Sequence, residues 1–191
     1  VDAEKTLQLL FHANRLKAIP RVGWQMRGVF HPESVAEHTF CVAFLAMILA
    51  DSIKEKVNRE RLLAIALLHD LGEAFTTDLP EPALRFLPQG AKREAEEAVL
   101  QDMLHDLPFA EDYFELWLEF EDRTSVEGRL VRDADKLEMI IQAYIYEQST
   151  GNHNLDEFWK FLEHYPLEFE ATRKLFQLLQ KRRQSHLPPL S

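Results

Sequence analysis

A lone cysteine, Cys41, excludes an internal disulfide framework and any Cys-rich zinc module, and it fits a reducing compartment. Long apolar runs are missing as well. The one worth inspecting, residues 40–50, falls short of the roughly 20 residues that span a bilayer. The first residues, Val1-Asp2-Ala3-Glu4-Lys5, lack the basic-then-apolar order of a secretory signal. These absences set the expectation of a cytoplasmic protein with no membrane partner. Basic charge is scarce: 22 Lys and Arg stand against 32 Asp and Glu, a formal charge of −10. Such a surface repels a nucleic-acid backbone over most of its area, so no polymeric nucleic acid is expected as partner. Small anions remain suitable ligands where local basic residues receive them.

What is present is helical periodicity. Leu7, Leu10, Phe11 and Leu16 mark a first amphipathic helix that ends near Pro20. Residues 18–32 read as a loop carrying Pro20, Arg21, Gly23, Trp24, Arg27, Gly28 and Pro32. A second helix is expected from Glu33-Ser34 to about Lys56, with Val35, Val42, Leu45 and Leu49 inward. A third covers about Arg59 to Glu73, with Leu62, Ile65, Ala66 and His69 in phase. Shorter helices follow at about 81–87, 91–106 and 109–122, then a long one at 126–149 and two more at 155–164 and 166–183. Runs alternating at period two are absent, as are repeats and low-complexity segments. The expected fold is all-α, one domain over residues 1–191 with its core at about 5–180 and a frayed tail from His186.

Several ionisable residues fall on faces that should be buried. His38 shares the stripe of Val42 and Leu45, His69 that of Leu62 and Ala66, and Asp135 lies one turn from both Val131 and Met139. A buried Asp without a cation or donor costs several kcal/mol, so each placement demands a partner. The bland reading of any one such histidine is a hydrogen-bonded core residue. A His-Asp pair is weak evidence alone, since a second, His105-Asp106, stands at an expected helix end and reads as solvent-facing. The first pair differs in its surroundings. Glu73 follows His69 by four residues, on the same face of a continued helix. Asp78 sits just past it, in a turn that can fold back. With Glu33 to His38 upstream and Asp133 to Glu138 downstream, the set could converge on one divalent cation.

These residues resemble the HD-domain metal-dependent phosphohydrolases, whose ligand order is H…HD…D on an all-α fold: His38, His69, Asp70 and Asp135 fit it. Within that superfamily the chain is similar to the 5′-deoxynucleotidase group, the YfbR-like and HD-domain-containing-protein-2-like enzymes. The matching segments are Trp24 fourteen residues before His38, the HDxGExxxxDxP run from His69 to Pro80, and Asp133-Ala134-Asp135-Lys136-Leu137-Glu138. One position departs. Where bacterial members place a phosphate-contacting Arg directly before the Trp, this chain has Gly23, which leaves Arg21 or Arg27 to take that place.

The resemblance implies removal of the 5′-phosphate from deoxynucleoside monophosphates by a homodimer. Two imidazoles and two carboxylates would hold one divalent ion, whether Mn, Co, Zn, Fe or Mg, with coordination positions left for water and phosphate. A two-metal site needs further histidines between the His69-Asp70 pair and Asp135, and only His105 lies there. Glu73 is placed to take or relay a proton, and Asp78 to accept from the sugar 3′-hydroxyl while crowding a 2′-hydroxyl. Trp24 either anchors its loop or packs beside the sugar and phosphate. Lys136 and the Glu94–Glu97 run read as solvated helix faces, and Phe158, Trp159, Phe161 and Leu162 as core or dimer packing. The remaining histidines, His12, His31, His153, His164 and His186, read as surface residues, with His31, near the loop, the one exception to weigh. The competing functions are hydrolysis of another phosphate ester, such as a ribonucleotide, cyclic nucleotide or triphosphate, and a module that keeps a metal for stability alone.

Overall fold

Capping chemistry sets the helix boundaries in the computed structural model, which describes residues 2–185; the tail expected to fray from His186 lies outside them. Asp2 caps α1 (Ala3–Asn14) by accepting from the Glu4 and Lys5 amides, and a 3₁₀ turn, Arg15–Ala18, follows. The loop before the next long helix contains a single helical turn, α2 (Val22–Gln25). Ser34 and Glu37 form a reciprocal capping box at the start of α3 (Val35–Ala50). Asn58 caps α4 (Arg59–Leu68), so α3 ends six residues before the expected Lys56: the polar stretch after Asp51 turns to present that cap.

Three expectations about these helices are corrected. In the first helix the apolar residues offer two faces: of the expected set Leu16 is buried, but Leu7, Leu10 and Phe11 are exposed while Leu9 and Ala13 pack inward. α4 stops at Leu68 rather than continuing to Glu73. The chain from His69 tightens into successive i→i+3 bonds before the short α5 (Glu73–Thr76). Gly72 shows why. An added Cβ there would lie 3.0 Å from the Cβ of Glu96 and 3.2 Å from its Cα, so this turn crosses α7 (Ala91–Leu104) almost backbone to backbone. Finally, residues 166–169 are not helical, and the last helix starts at Glu170.

α6 (Glu81–Leu84), α8 (Ala110–Asp122), α9 (Val126–Thr150), α10 (Asp156–His164) and α11 (Glu170–Gln184) complete an all-α architecture, with no strand among the described residues. α9 is the central shaft. Ser125 caps its start, and Gly151, at φ +68°, ends it in the left-handed conformation. Against it pack α3, α4, α8, α10 and α11. Val42, Ala46, Leu62, Ile65, Val131 and Ala134 form one fully buried cluster between α3, α4 and α9. A second, around Leu100, Leu104 and Trp117, joins α7 and α8 to the turn after α4.

Gly128 lets α8 and α9 cross closely: a Cβ there would sit 2.3 Å from the backbone oxygen of Glu119. Because the obstacle is backbone, Gly128→Ala should destabilise by about 1–3 kcal/mol, read as a fall in the urea midpoint. An unchanged midpoint would mean that the two helices slide apart freely.

Candidate active site

The faces that α3, the turn after α4 and α9 turn toward one another carry the ionisable residues. Ligand-capable atoms of His38, His69 and Asp135 all lie within 4.8 Å of one another, and all three residues are buried. His38 Nε2 stands 3.3 Å from Asp135 Oδ1, and Asp70 Oδ2 is 3.3 Å from His69 Nε2 and 3.8 Å from His38 Nε2. Both Nε2 atoms are buried without a hydrogen-bond partner. Their opposite ring nitrogens are engaged: Nδ1 of His38 with Glu138 Oε2 at 2.6 Å, and Nδ1 of His69 with the Ala66 carbonyl at 2.7 Å. This fits a cation. Two imidazoles oriented through Nδ1 present bare Nε2 atoms to a pair of carboxylates, which is how metal-binding histidines are held.

Glu138 closes the converging Asp133–Glu138 segment of the sequence, where it has no role of its own; the structure gives it one, as the partner of His38. Beside it lies Glu33, which accepts from the Trp24 indole at 2.9 Å and whose amide donates to the Tyr146 hydroxyl at 2.7 Å. Trp24 is buried, packs on Phe158 with centroids 4.2 Å apart, and also lines the cavity described below. It therefore anchors the loop and forms part of a wall. Asp133, grouped at the sequence level with the converging set, points elsewhere. It accepts from the Glu168 and Phe169 amides and the Thr172 hydroxyl, because two residues turn a helix by about 200° relative to Asp135.

A cavity of about 270 Å³ opens over this centre, a size for one small ligand. His69, Asp70 and Asp135 form part of its lining, and Leu79, Pro80 and Leu84 another part. Arg21 lies on it, with Nη1 3.4 Å from Asp70 Oδ2 and 3.3 Å from Asp78 Oδ1; the Val22 amide donates to Asp78 Oδ2 at 2.5 Å. Arg27 lies on the same cavity but is paired with Glu157, and it donates to the Gly23 carbonyl at 3.4 Å. Of the two arginines, Arg21 is the one beside the carboxylate centre. Asp78 follows Thr77, whose φ of 61° and ψ of 171° place a β-branched side chain in a region that favours glycine.

Lys136, read as a solvated position, sets its ammonium 2.8 Å from Asp135 Oδ2 and lines the cavity. Of the aromatic and apolar residues read as packing, Trp159 and Leu162 are core, while Phe158 and the exposed Phe161 line the cavity. Glu96 is 7% exposed, which corrects the reading of the Glu94–Glu97 run as wholly solvated; the close approach of Gly72 draws that face of α7 inward. Glu73 is fully buried behind the wall that Asp70, Lys92 and Glu96 contribute to. Lys92 Nζ is 3.1 Å from Glu73 Oε1 and 3.3 Å from Glu96 Oε1. His105 is exposed at the end of α7, remote from these groups, and His12 rests edge-on against Phe75.

The electrostatics follow from burial. Burial, then the neighbouring Asp70, pushes the Glu73 carboxyl up to about 8, against Lys92 and Arg21. Burial likewise raises Glu96 and Glu33, each to about 7, Glu33 with help from Glu138. For His38, burial and Arg21 oppose protonation, but Asp135 and Glu138 prevail and raise it to about 10. Asp70 is held well below the carboxylate range against its burial, by His69, Arg21 and His38. Asp135 is held low too, by Lys136 and both imidazoles.

These shifts dictate a stability profile for the metal-free protein. Glu33, Glu73 and Glu96 keep protons in the fold that the unfolded chain has released above about pH 4.3, so stability falls from there to about pH 8. The contribution of protonated His38 is complete below about pH 6.5 and is lost as pH rises to about 10. Asp70 and Asp135 stabilise above about pH 4 and cease to below it. Melting after chelation should therefore be highest near pH 5 and decline toward pH 9. A midpoint that climbs across that range would contradict the burial of these acids.

Comparison with known proteins places the chain. Residues 13–165 match the HD domain family. The human protein called 5′-deoxynucleotidase HDDC2 is 36% identical over 147 residues, covering 76% of this chain and 70% of that one. The Schizosaccharomyces pombe protein called 5′-deoxynucleotidase hdd1 is 34% identical over 176 residues, 86% of this chain and 87% of that one. Among solved structures, a conserved hypothetical protein of Pyrococcus furiosus superposes with a TM-score of 0.77 at 44% identity, covering 93% of this chain and 99% of that one. The matched span takes in His38, His69, Asp70 and Asp135 together with α3, α4 and α9, and the chain belongs to the HD domain family.

Proposed function

We propose that this chain is a metal-dependent 5′-deoxynucleotidase, converting a deoxynucleoside 5′-monophosphate and water to a deoxynucleoside and inorganic phosphate. The observation that carries this reading is the pair of buried, unpartnered Nε2 atoms facing two carboxylates at a cavity that also holds an arginine. The names of the two curated relatives support the substrate. His38, His69, Asp70 and Asp135 would hold one divalent ion; the mixed nitrogen and oxygen set suits Mn, Co, Zn or Fe, with Mg a further candidate. A bound cation supplies polarisation of the phosphoryl group and acidification of water.

The chain's own residues do the rest. Arg21, which rests on Asp70 and Asp78, is free to exchange those carboxylates for phosphate oxygens, where a guanidinium forms two parallel bonds. Arg27, held by Glu157 and Gly23, is the second candidate for that contact and stands beside Phe158. Glu73 takes a proton from the attacking water, at a carboxyl tuned close to neutrality. Asp78, held in place by the Val22 amide, retains acceptor capacity for the 3′-hydroxyl, and by the resemblance it would crowd a 2′-hydroxyl. Phe158, Phe161 and Trp24 supply an apolar wall for sugar and base.

A cytoplasmic location accompanies this reading, supported by the single exposed cysteine, Cys41. No helix among the described residues is long and apolar enough to cross a membrane. Leu175 and Leu178, exposed on α11, support a homodimer. Phosphate release from deoxy- and ribonucleoside 5′-monophosphates, before and after chelation and reloading with Mn²⁺, Co²⁺, Zn²⁺, Fe²⁺ or Mg²⁺, tests the function. Metal-dependent release that favours the deoxy series is expected. Silence across the panel with metal bound would remove the reading.

A further inference from the structure

We propose that Lys92, itself held by Glu96, is a positioning residue for the hydrolytic reaction: its ammonium fixes one oxygen of Glu73 and so orients the other. The inference rests on the reading of Glu73 as the proton-transfer group, and it adds to that reading the device that holds Glu73 in place. Neither residue of α7 belongs to the HDxGExxxxDxP run or to the candidate ligands.

Glu73 is wholly buried, yet only one of its oxygens has a partner. Oε1 accepts from Lys92 at 3.1 Å; Oε2 is buried and unpartnered. A carboxylate with one oxygen clamped cannot rotate freely, and its second oxygen remains the acceptor available to a water. Lys92 in turn is fixed by Glu96, one helical turn along α7, at 3.3 Å. The backbone enforces the arrangement: the crossing at Gly72 brings α7 against the turn that carries Glu73, with room for no side chain between them. Arg21 does not hold Glu73 in this way: its guanidinium pairs with Asp70 and Asp78, whereas the ion pair to Glu73 comes from Lys92. Lys92 lines the cavity with about a third of its side chain exposed, so the group that holds Glu73 also borders the space where substrate would lie.

The test is a kinetic cycle on Lys92→Met, Lys92→Arg, Glu73→Gln and the Lys92→Met/Glu73→Gln pair, with metal content and melting point measured on each. Lys92→Met should lower kcat about 10–100-fold, the usual cost of removing a group that orients a reacting one, with KM within about twofold and metal content unchanged. Lys92→Arg should recover most of the loss. In the Glu73→Gln background Lys92→Met should cost nothing further, since two residues that act through one another do not add.

Additive losses, a rise in KM with kcat unchanged, or no effect at all would each overturn the proposal; the KM result would make Lys92 a phosphate contact instead. If Lys92→Met folds poorly because Glu73 and Glu96 then face each other, the Lys92→Met/Glu96→Gln variant removes that repulsion and is judged by the same criteria. Running every variant on p-nitrophenyl phosphate beside dAMP separates the two claims. Failure on dAMP alone sinks the deoxynucleotide reading and leaves the cycle readable, whereas a wild-type protein silent on both esters sinks both.

Discussion

Asp70→Ala is expected to abolish metal retention and to lower turnover by about a thousandfold, with the fold preserved. Asp70 supplies an oxygen 3.3 Å from His69 Nε2, and its carboxylate is held ionised by both imidazoles and Arg21. Losing it removes one of four candidate donors and leaves Arg21 resting on Asp78 beside the centre. If the bound cation contributes about 4 kcal/mol of charge stabilisation, its loss corresponds to about three decades in rate. The fold should survive, because Asp70 lies outside the apolar clusters that hold α3, α4 and α9 together, but the melting point falls with the loss of its pairing to Arg21 and the imidazoles. Metal analysis after desalting, turnover, and thermal melting decide it. A variant that keeps both metal and activity would show that Asp70 is no ligand, and one that unfolds would give the dyad a structural task instead.

Asp133→Ala should have the largest effect on stability, about 3 kcal/mol, with the last helix the first element to release. The Asp133 carboxylate gathers the Glu168 and Phe169 amides and the Thr172 hydroxyl, at 2.6–3.1 Å, into a single cap that starts α11 on α9. Replacement by alanine strands the buried Phe169 amide, an unsatisfied group worth about 1–3 kcal/mol, and leaves the fully buried Thr172 hydroxyl with the Phe169 carbonyl as its acceptor. Asp133→Asn keeps one acceptor oxygen and should cost about half as much. Urea unfolding measures the difference. If hydrogen exchange of α11 stays as slow in the alanine variant as in the parent protein, the cap does not dock that helix.

Much of the candidate centre was legible because helical phase exposes misplaced charge. His38, His69 and Asp135 each sit on an apolar stripe, and each is buried. Glu138 carried the same signal, one turn beyond Asp135 on the stripe of Val131 and Ala134, and could have been read. Lys92 and Glu96 could not. Their run of acids is indistinguishable from a solvated face until Gly72 is seen to press α7 inward, a tertiary fact with no local trace. The fold class and helix order follow from periodicity, while helix ends follow caps and crossings. That is why α4 stopped short of Glu73, and why the expectation of Glu73 and His69 on one continuous helical face gave way to a tight turn that still brings Glu73 beside Asp70. α1 failed for another reason: with Leu7, Leu9, Leu10 and Phe11 in succession, phase alone does not choose a side.

α9 carries its contacts in several directions at once. Gly128 faces α8, Asp133 the chain entering α11, Asp135 and Glu138 the histidines, and Glu147 the indole of Trp159 and the guanidinium of Arg183. Inserting or deleting one residue within this shaft rotates everything downstream by about 100° and shifts it by about 1.5 Å. No single rotation restores all of these appointments together. Between Gly128 and Glu147 the helix is therefore closed to changes of length, however freely individual surface residues are exchanged. Descendants of this sequence can grow or shrink only in connections such as residues 51–57, where no functional group waits on the register.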